Sequence, residues 1–291
     1  MKLGFWTLGM PSWSSREIVE QAAKYGYHGV DLRCTRPDNG RPAGGGNLCI
    51  ESPDEDVRST RRAFEGSGVE ITSLLCYLPR DRSAGAMDWT WYRDDVAAHA
   101  SLAGRVGAPL MRLGVGAPAE GASWNRHLES LWEATQAGLE NEPGVGVVFE
   151  NHTGRPYAEE LLAMAEGVGD ERIGVELSPD HCLVMQEDAV EVIERHSRWI
   201  HQVCFADRCV AEEGLGDFDG RYYHVRYESC VVGEGLVPAA QIFAKLKSLH
   251  YDGYVTLKWE RPVDSGGKVT TGETVLPIFA KFMRDLGAIP N

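Results

Sequence analysis

The chain has 291 residues, 43% hydrophobic and 25% charged, long enough to bury a large core as one α/β barrel or as two smaller domains. Its 29 basic and 43 acidic residues give a formal net charge of −14, which repels a phosphate backbone and favours a small-molecule substrate over nucleic acid. Cys34, Cys49, Cys76, Cys182, Cys204, Cys209 and Cys230 are an odd, scattered set without a Cys-x-x-Cys pair, which argues against a disulfide framework or a zinc ribbon.

The start, Met-Lys-Leu-Gly-Phe-Trp, lacks the apolar stretch and cleavage site of a signal peptide, and no run of about 18 apolar residues suggests a membrane span. A cytoplasmic protein with no membrane partner is expected. A homo-oligomer stays open.

Residues 3–8 read as a first strand, and Ser14-Ser15-Arg16-Glu17 then opens a helix that keeps helical spacing up to Gly26. A second strand over 29–33 leads into a Pro- and Gly-rich loop over 35–47. Residues 54–66 carry acidic side chains first and basic ones last, as the helix dipole favours. Strands are predicted over 69–77, 109–113, 144–150, 173–177, 200–206 and 253–258. Helices alternate with them over 89–106, 124–139, 156–167, 189–196, 237–249 and 273–286. Residues 207–234 read as a long polar and aromatic loop of the kind that serves as a lid, including Arg221-Tyr222-Tyr223-His224.

Eight strand and eight helix candidates alternating without a linker predict one (β/α)8 barrel over residues 1–291. An open doubly wound sheet is the alternative, but the first βα turn carries neither Gly-x-Gly-x-x-Gly nor a Walker A sequence.

The stretch Gly-Val-Gly-Val-Val-Phe-Glu-Asn-His-Thr over 144–153 reads as a strand buried on both faces that delivers Glu150 and His152 at its C-terminal end. In a barrel the C-terminal strand ends share one mouth. Those ends would bring together Trp6, Asp31, Arg33, Tyr77, Arg112, Glu150, His152, Glu176, Ser178, Asp180, His181, Gln202, Cys204, Asp207, Lys258 and Glu260. Any one of these could instead be a solvated loop residue or a structural ion pair; together they point to a site. Trp6, Trp13, Trp89, Trp91 and Tyr77 could wall it or simply pack in the core.

Tyr27-His28-Gly29-Val30-Asp31-Leu32-Arg33, Gly233-Glu234-Gly235 and Tyr251-Asp252-Gly253-Tyr254-Val255 stand in an order and spacing that resemble the xylose isomerase-like TIM barrel superfamily of sugar phosphate isomerases and epimerases. The resemblance spans essentially the whole chain. It implies sugar metabolism and one divalent cation on four strand-end ligands: Glu on strand five, Asp on six, His on seven and Glu on eight. Carried onto this chain, those positions hold Glu150, Ser178, Cys204 and Lys258. The strand-six histidine survives as His181, and Glu260 lies two residues beyond Lys258. Three of the four implied ligands are thus replaced, and an ammonium at the fourth position repels a hard cation.

The resemblance implies proton transfer next to a carbonyl on a small polyhydroxylated metabolite, here with a degenerate metal site. Glu150, Lys258 and His181 are the expected catalytic residues. Glu150 takes the proton, Lys258 stabilises the oxyanion in place of the metal, and His181 binds hydroxyls or relays protons. His152, Arg112, Ser178, Cys204, Asp207, Glu260 and Trp6 are the expected substrate contacts, with Arg112 or Arg33 receiving an anionic group. No cofactor is required by this reading. Should zinc or manganese bind, Glu150, His181 and Cys204 are the expected ligands. The competing readings are a non-catalytic barrel that binds a metabolite or a partner subunit, and a metal-dependent isomerase, lyase or dehydratase with a shifted ligand set. Lys258 could also be no more than a structural counter-ion of Glu150.

Overall fold

The computed structural model describes residues 1–35, 48–77, 87–154, 156–218, 221–259 and 271–289, with the side chains of 212–218 and 221–225 excepted. Eight parallel strands close a barrel: β1 (Lys2–Trp6), β2 (Gly29–Cys34), β3 (Glu70–Cys76), β4 (Leu110–Leu113), β5 (Gly146–Glu150), β6 (Ile173–Leu177), β7 (Ile200–Phe205) and β10 (Tyr254–Leu257). β10 pairs with both β7 and β1, and β1 pairs with β2, so the barrel has no open edge.

The intervening helices are α1 (Ser15–Tyr25), α2 (Asp54–Phe64), α3 (Trp89–Val106), α4 (Trp124–Gly138), α5 (Ala158–Val168), α6 (Pro179–Met185), α7 (Ala189–His196), α8 (Ala239–Ser248) and α9 (Gly272–Asp285). Their ends follow local chemistry. Ser14 and Glu17 form a capping box at α1, which stops at Gly26 with φ 78°, a left-handed conformation that costs glycine little. Asp88 accepts from Thr90 and Trp91 N–H groups to start α3.

Because successive strand residues face opposite sides, one set points into the barrel and the other out against the helices. The outward set makes the larger core. Trp132 of α4 lies 4.6 Å from Phe149 of β5, and Phe205 of β7 meets Phe243 of α8 and Phe279 of α9. Each fully buried aromatic side chain contributes roughly 1.5–3 kcal/mol by leaving water. Trp13, Trp89 and Trp91 pack in or against this core.

The inward set is layered. Gln202 and Asp31 lie in the interior, where the Asp31 carboxylate accepts from Thr72, Ser73 and Gln202 at 2.5–2.7 Å. Towards the C-terminal ends, Trp6, Leu75 and Cys204 form a small apolar cluster with Leu8 and the partly buried Tyr77.

The structure departs from the sequence reading in two places. Residues expected to form a lid-like loop instead form an antiparallel hairpin, β8 (Asp207–Phe218) with β9 (Arg221–Cys230), interrupted by two register shifts. Its charged and Gly-containing strands hide the alternation that usually marks a strand. Ser178–His181, expected as a strand end, opens the seven-residue helix α6, with Pro179 at its first turn, where a missing N–H costs nothing. Glu260 and most of the 35–47 loop lie outside the described residues.

Candidate active site

Five inward positions at the C-terminal ends of adjacent strands converge: Arg112 on β4, Glu150 on β5, Glu176 on β6, Cys204 on β7 and Lys258 just beyond β10. Register makes Glu150 and Glu176 direct neighbours. Short α6 adds Asp180 and His181 from above, with Ser178 at its N-cap position.

Lys258 is the hub. Its Nζ donates to Glu150 Oε1 at 2.5 Å and to His181 Nε2 at 2.6 Å, and lies 3.4 Å from Ser178 Oγ. An ammonium has three protons, and these partners use all three. Since Lys258 donates to Nε2, the His181 imidazole is neutral with its proton on Nδ1. Burial holds its pKa well below the usual histidine value, and the Lys258 charge adds to the shift against the pull of Asp180. Glu150 is held from the other side by the Arg112 guanidinium, and the Cys204 thiol lies 3.7 Å from Oε1. Burial, followed by the Glu176 charge, pushes that thiol well above its usual value.

Glu176 differs from Glu150. It is fully buried, its carboxyl oxygens have no close hydrogen-bond partner among the described residues, and Arg112 Nε stands 3.8 Å away. Burial and the nearby Asp31 push its pKa up to about 8, so it is mostly protonated at neutral pH. Two adjacent carboxyls are therefore set apart by environment, one flanked by two cations and one neutral, an arrangement typical of acid–base sites.

Asp180 anchors the rim. Burial alone would raise its pKa, but the neighbouring His181 imidazole and the Lys258 and Arg208 charges outweigh this and hold it well below the usual carboxylate value. Arg208, the first basic residue of β8, grips Asp180 Oδ2 through Nε at 2.9 Å and Nη2 at 2.6 Å, while Ser178 Oγ donates to Oδ1 at 2.5 Å. Asn151 clamps the Ser178 backbone, accepting from its N–H at 2.7 Å and donating to its carbonyl at 3.1 Å. The Glu-Asn-His stretch thus supplies the base candidate, a positioning amide and an outer imidazole. His152 is exposed and stacks 4.2 Å from the His181 ring, on the solvent side of the cluster.

Trp6 and Tyr77 flank the Arg112 guanidinium at 5.3 and 5.4 Å, and Lys258 Nζ lies 5.3 Å from the Trp6 ring. Cation–π contacts keep both cations aimed at the carboxyls. Of the expected substrate contacts, Trp6, Arg112, Ser178, Cys204 and His152 therefore gather around Glu150, Lys258 and His181.

Asp207 is committed elsewhere. Its carboxylate accepts from the N–H groups of Arg208, Gly233, Gly235 and Val237 at 2.9–3.2 Å, pinning the base of the hairpin to the segment before α8. A Cβ on Gly235 would stand 2.1 Å from Asp207 Oδ1, so the Gly-Glu-Gly sequence serves this close approach. Arg33 donates to the Pro11 carbonyl at 3.4 Å.

Strand position alone named Glu176 and Asp180 but gave neither a catalytic or substrate-binding role, and missed Arg208. For Glu176 the signal was an inward position paired with Glu150. For Arg208 it was hidden by the unrecognised hairpin.

Residues 19–284 match the family model described as xylose isomerase-like TIM barrel, and the chain belongs to that family. It is 25% identical over 270 residues to inosose dehydratase of Geobacillus kaustophilus, covering 86% of this chain and 81% of the relative. Among solved structures, the probable 3-DHS dehydratase involved in petrobactin synthesis from Bacillus anthracis superposes with a TM-score of 0.69 at 17% identity, over 98% of this chain and 99% of the other. A zinc-bound IolI protein superposes with a TM-score of 0.69 at 15% identity, over 98% of each chain. These two likenesses are of fold.

Proposed function

We propose that the chain is an isomerase- or epimerase-like enzyme that moves a proton at a carbon next to a carbonyl of a small polyhydroxylated metabolite, with the Lys258 ammonium standing where the family's cation would be. The observation that carries this reading is the position of Lys258 Nζ, 2.5 Å from Glu150 and 2.6 Å from His181.

The side chains around Lys258 do not fit a hard divalent cation. An ion ligated by Glu150 and His181 would have to share the space already occupied by a like-charged group bonded to both, and Ser178 and Cys204 offer it neither a carboxylate nor an imidazole. No step is therefore assigned to a metal at this position.

The chain's own groups supply the parts of the reaction. Glu150 is the base. Lys258 turns from its weakest contact, Ser178, to the carbonyl oxygen of the substrate and stabilises the negative charge that grows there. Such a donor gives about 10²- to 10³-fold in rate. Protonated Glu176 keeps Arg112 from being shared between two carboxylates, and Arg112 steadies Glu150. His152, on the open side, meets a substrate hydroxyl, and Trp6 and Tyr77 give the site an apolar wall. Relatives named as dehydratases fit the same first step, since loss of water from a hydroxy ketone can also begin with removal of a proton next to the carbonyl.

The test is proton exchange. The protein is incubated in deuterium oxide with a panel of small hydroxy ketones and cyclic keto-polyols, and the carbon-bound protons are followed by NMR. Exchange next to the carbonyl in at least one of them, lost in Glu150→Gln, is the expected result. Binding of a panel member without exchange would favour the non-catalytic metabolite-binding barrel.

A further inference from the structure

A second constellation lies on the outer side of the barrel wall. Cys34 ends β2 and Cys76 ends β3, and the two are direct partners in the parallel register. Asp31 and Ser73 point inwards, where they bond each other, and Leu75 joins the interior cluster. The alternation therefore turns Cys34 and Cys76 outwards, under α3. There they meet His99. One ligand atom from each of the three lies within 4.8 Å of the other two, and all three residues are buried, at 1%, 0% and 2% exposure.

The imidazole is oriented as a ligand would be. His99 Nδ1 lies 2.8 Å from the Asp95 carbonyl and 3.7 Å from the Asp95 carboxylate, one helical turn back, which leaves Nε2 for the sulfurs. A carboxylate behind the far nitrogen of a histidine is the usual outer support of a metal ligand. Core packing alone would not call for a buried imidazole with its carboxylate beside two buried thiols.

We propose that Cys34, Cys76 and His99 bind a thiophilic cation of the zinc class, with Asp95 positioning His99. Two sulfurs and one nitrogen select zinc over magnesium, calcium or manganese, and the three ligands found among the described residues leave one tetrahedral position for a further donor such as water or a small anion. The site pins the mouthward ends of two neighbouring strands to α3. It stands apart from the Lys258 cluster, from which it differs in ligand chemistry and in facing away from the barrel interior.

The test is metal content. Protein purified from zinc-supplemented cells without chelator is analysed by mass spectrometry for bound metals, with Cys34→Ser, Cys76→Ser, Asp95→Asn and Cys204→Ser beside it. About one zinc per chain is expected. It is lost in Cys34→Ser and Cys76→Ser and kept in Cys204→Ser, while Asp95→Asn weakens zinc binding about 10- to 100-fold in competition with a chelating dye. Should the serine variants fail to fold, cobalt is loaded into the unaltered chain, where X-ray absorption must show two sulfur neighbours. Absence of zinc from the unaltered chain, zinc that survives both serine variants, a first shell without sulfur, or a Cys34–Cys76 disulfide in the purified protein would each overturn the proposal. Loss of zinc in Cys204→Ser alone would place the ion in the barrel mouth and overturn it as well.

Discussion

Lys258 and Glu150, 108 residues apart, meet at 2.5 Å in the barrel mouth, both almost fully buried. Neither charge could stand alone there. Removing the ammonium leaves Glu150 with Arg112 as its charge partner and strips the hydrogen-bond donor from His181 Nε2. Lys258→Met is expected to destabilise the fold by about 3–5 kcal/mol. Combined with Glu150→Gln, it should cost less than the sum of the two single losses, because each single variant leaves a charge of the pair behind. Urea unfolding of the two single variants and the double variant checks this, and additive losses would show that the pair is not coupled.

Glu176 makes stability depend on pH. Its folded pKa, about 8, lies above the ordinary 4.5, so the folded chain holds a proton that the unfolded chain gives up. Stability from this group is full below about pH 4.5 and is lost as pH rises through about 8, at up to roughly 1.4 kcal/mol per pH unit. Glu176→Gln removes that loss. Its stability should gain on that of the unaltered chain between pH 5 and pH 8.5 by on the order of a few kcal/mol, seen as a melting-temperature advantage clearly larger at pH 8.5. Scanning calorimetry at the two pH values measures it, and a constant offset would show that Glu176 is already ionised near neutrality.

Asp207 should act on folding. Its carboxylate satisfies four backbone N–H groups at the base of the hairpin, and Asp207→Ala leaves these partly buried donors without their acceptor, at a cost on the order of 3 kcal/mol. Gly235→Ala should weaken the same contact, because its Cβ would fall 2.1 Å from Asp207 Oδ1. Limited proteolysis is expected to cut both variants within 207–235 sooner than the unaltered chain. Unchanged cleavage there would mean that the hairpin is held by other contacts.

The barrel was legible in the sequence because its strands are continuous apolar runs and its helices keep a 3.6-residue period, two signals that survive without tertiary context. Glu150, His181, Ser178, Cys204 and Lys258 could be placed together because strand ends in a barrel must converge. Hydrogen-bond commitment was not legible. Asp207 and Glu176 are both acidic residues near strand ends, yet one is saturated by four backbone donors and the other has no close donor among the described residues. That difference arises from chain segments more than twenty residues away. The hairpin and α6 escaped for a related reason, since their charged or short sequences are fixed by contacts such as Arg208 with Asp180.

Ligand chemistry should be restorable in the mouth. Ser178→Asp, Cys204→His and Lys258→Glu together replace the ammonium by an anionic set around Glu150, so manganese affinity should rise steeply over the unaltered chain, and Lys258→Glu alone should give less. Calorimetric titration with Mn²⁺ reads both. A triple variant that still ignores Mn²⁺ would mean that these four positions do not form a cation cage.

The central claim is that the ammonium of Lys258 does in this mouth what a cation does elsewhere in the family. The most direct measurement is the rate of carbon-bound proton exchange in deuterium oxide after exhaustive chelation, before and after adding back Mg²⁺, Mn²⁺ or Zn²⁺. The account predicts the same rate with and without chelation, no gain from any added cation, and a fall of about 10²- to 10³-fold in Lys258→Met. Exchange that disappears on chelation, returns with one equivalent of a divalent ion and survives in Lys258→Met would contradict it.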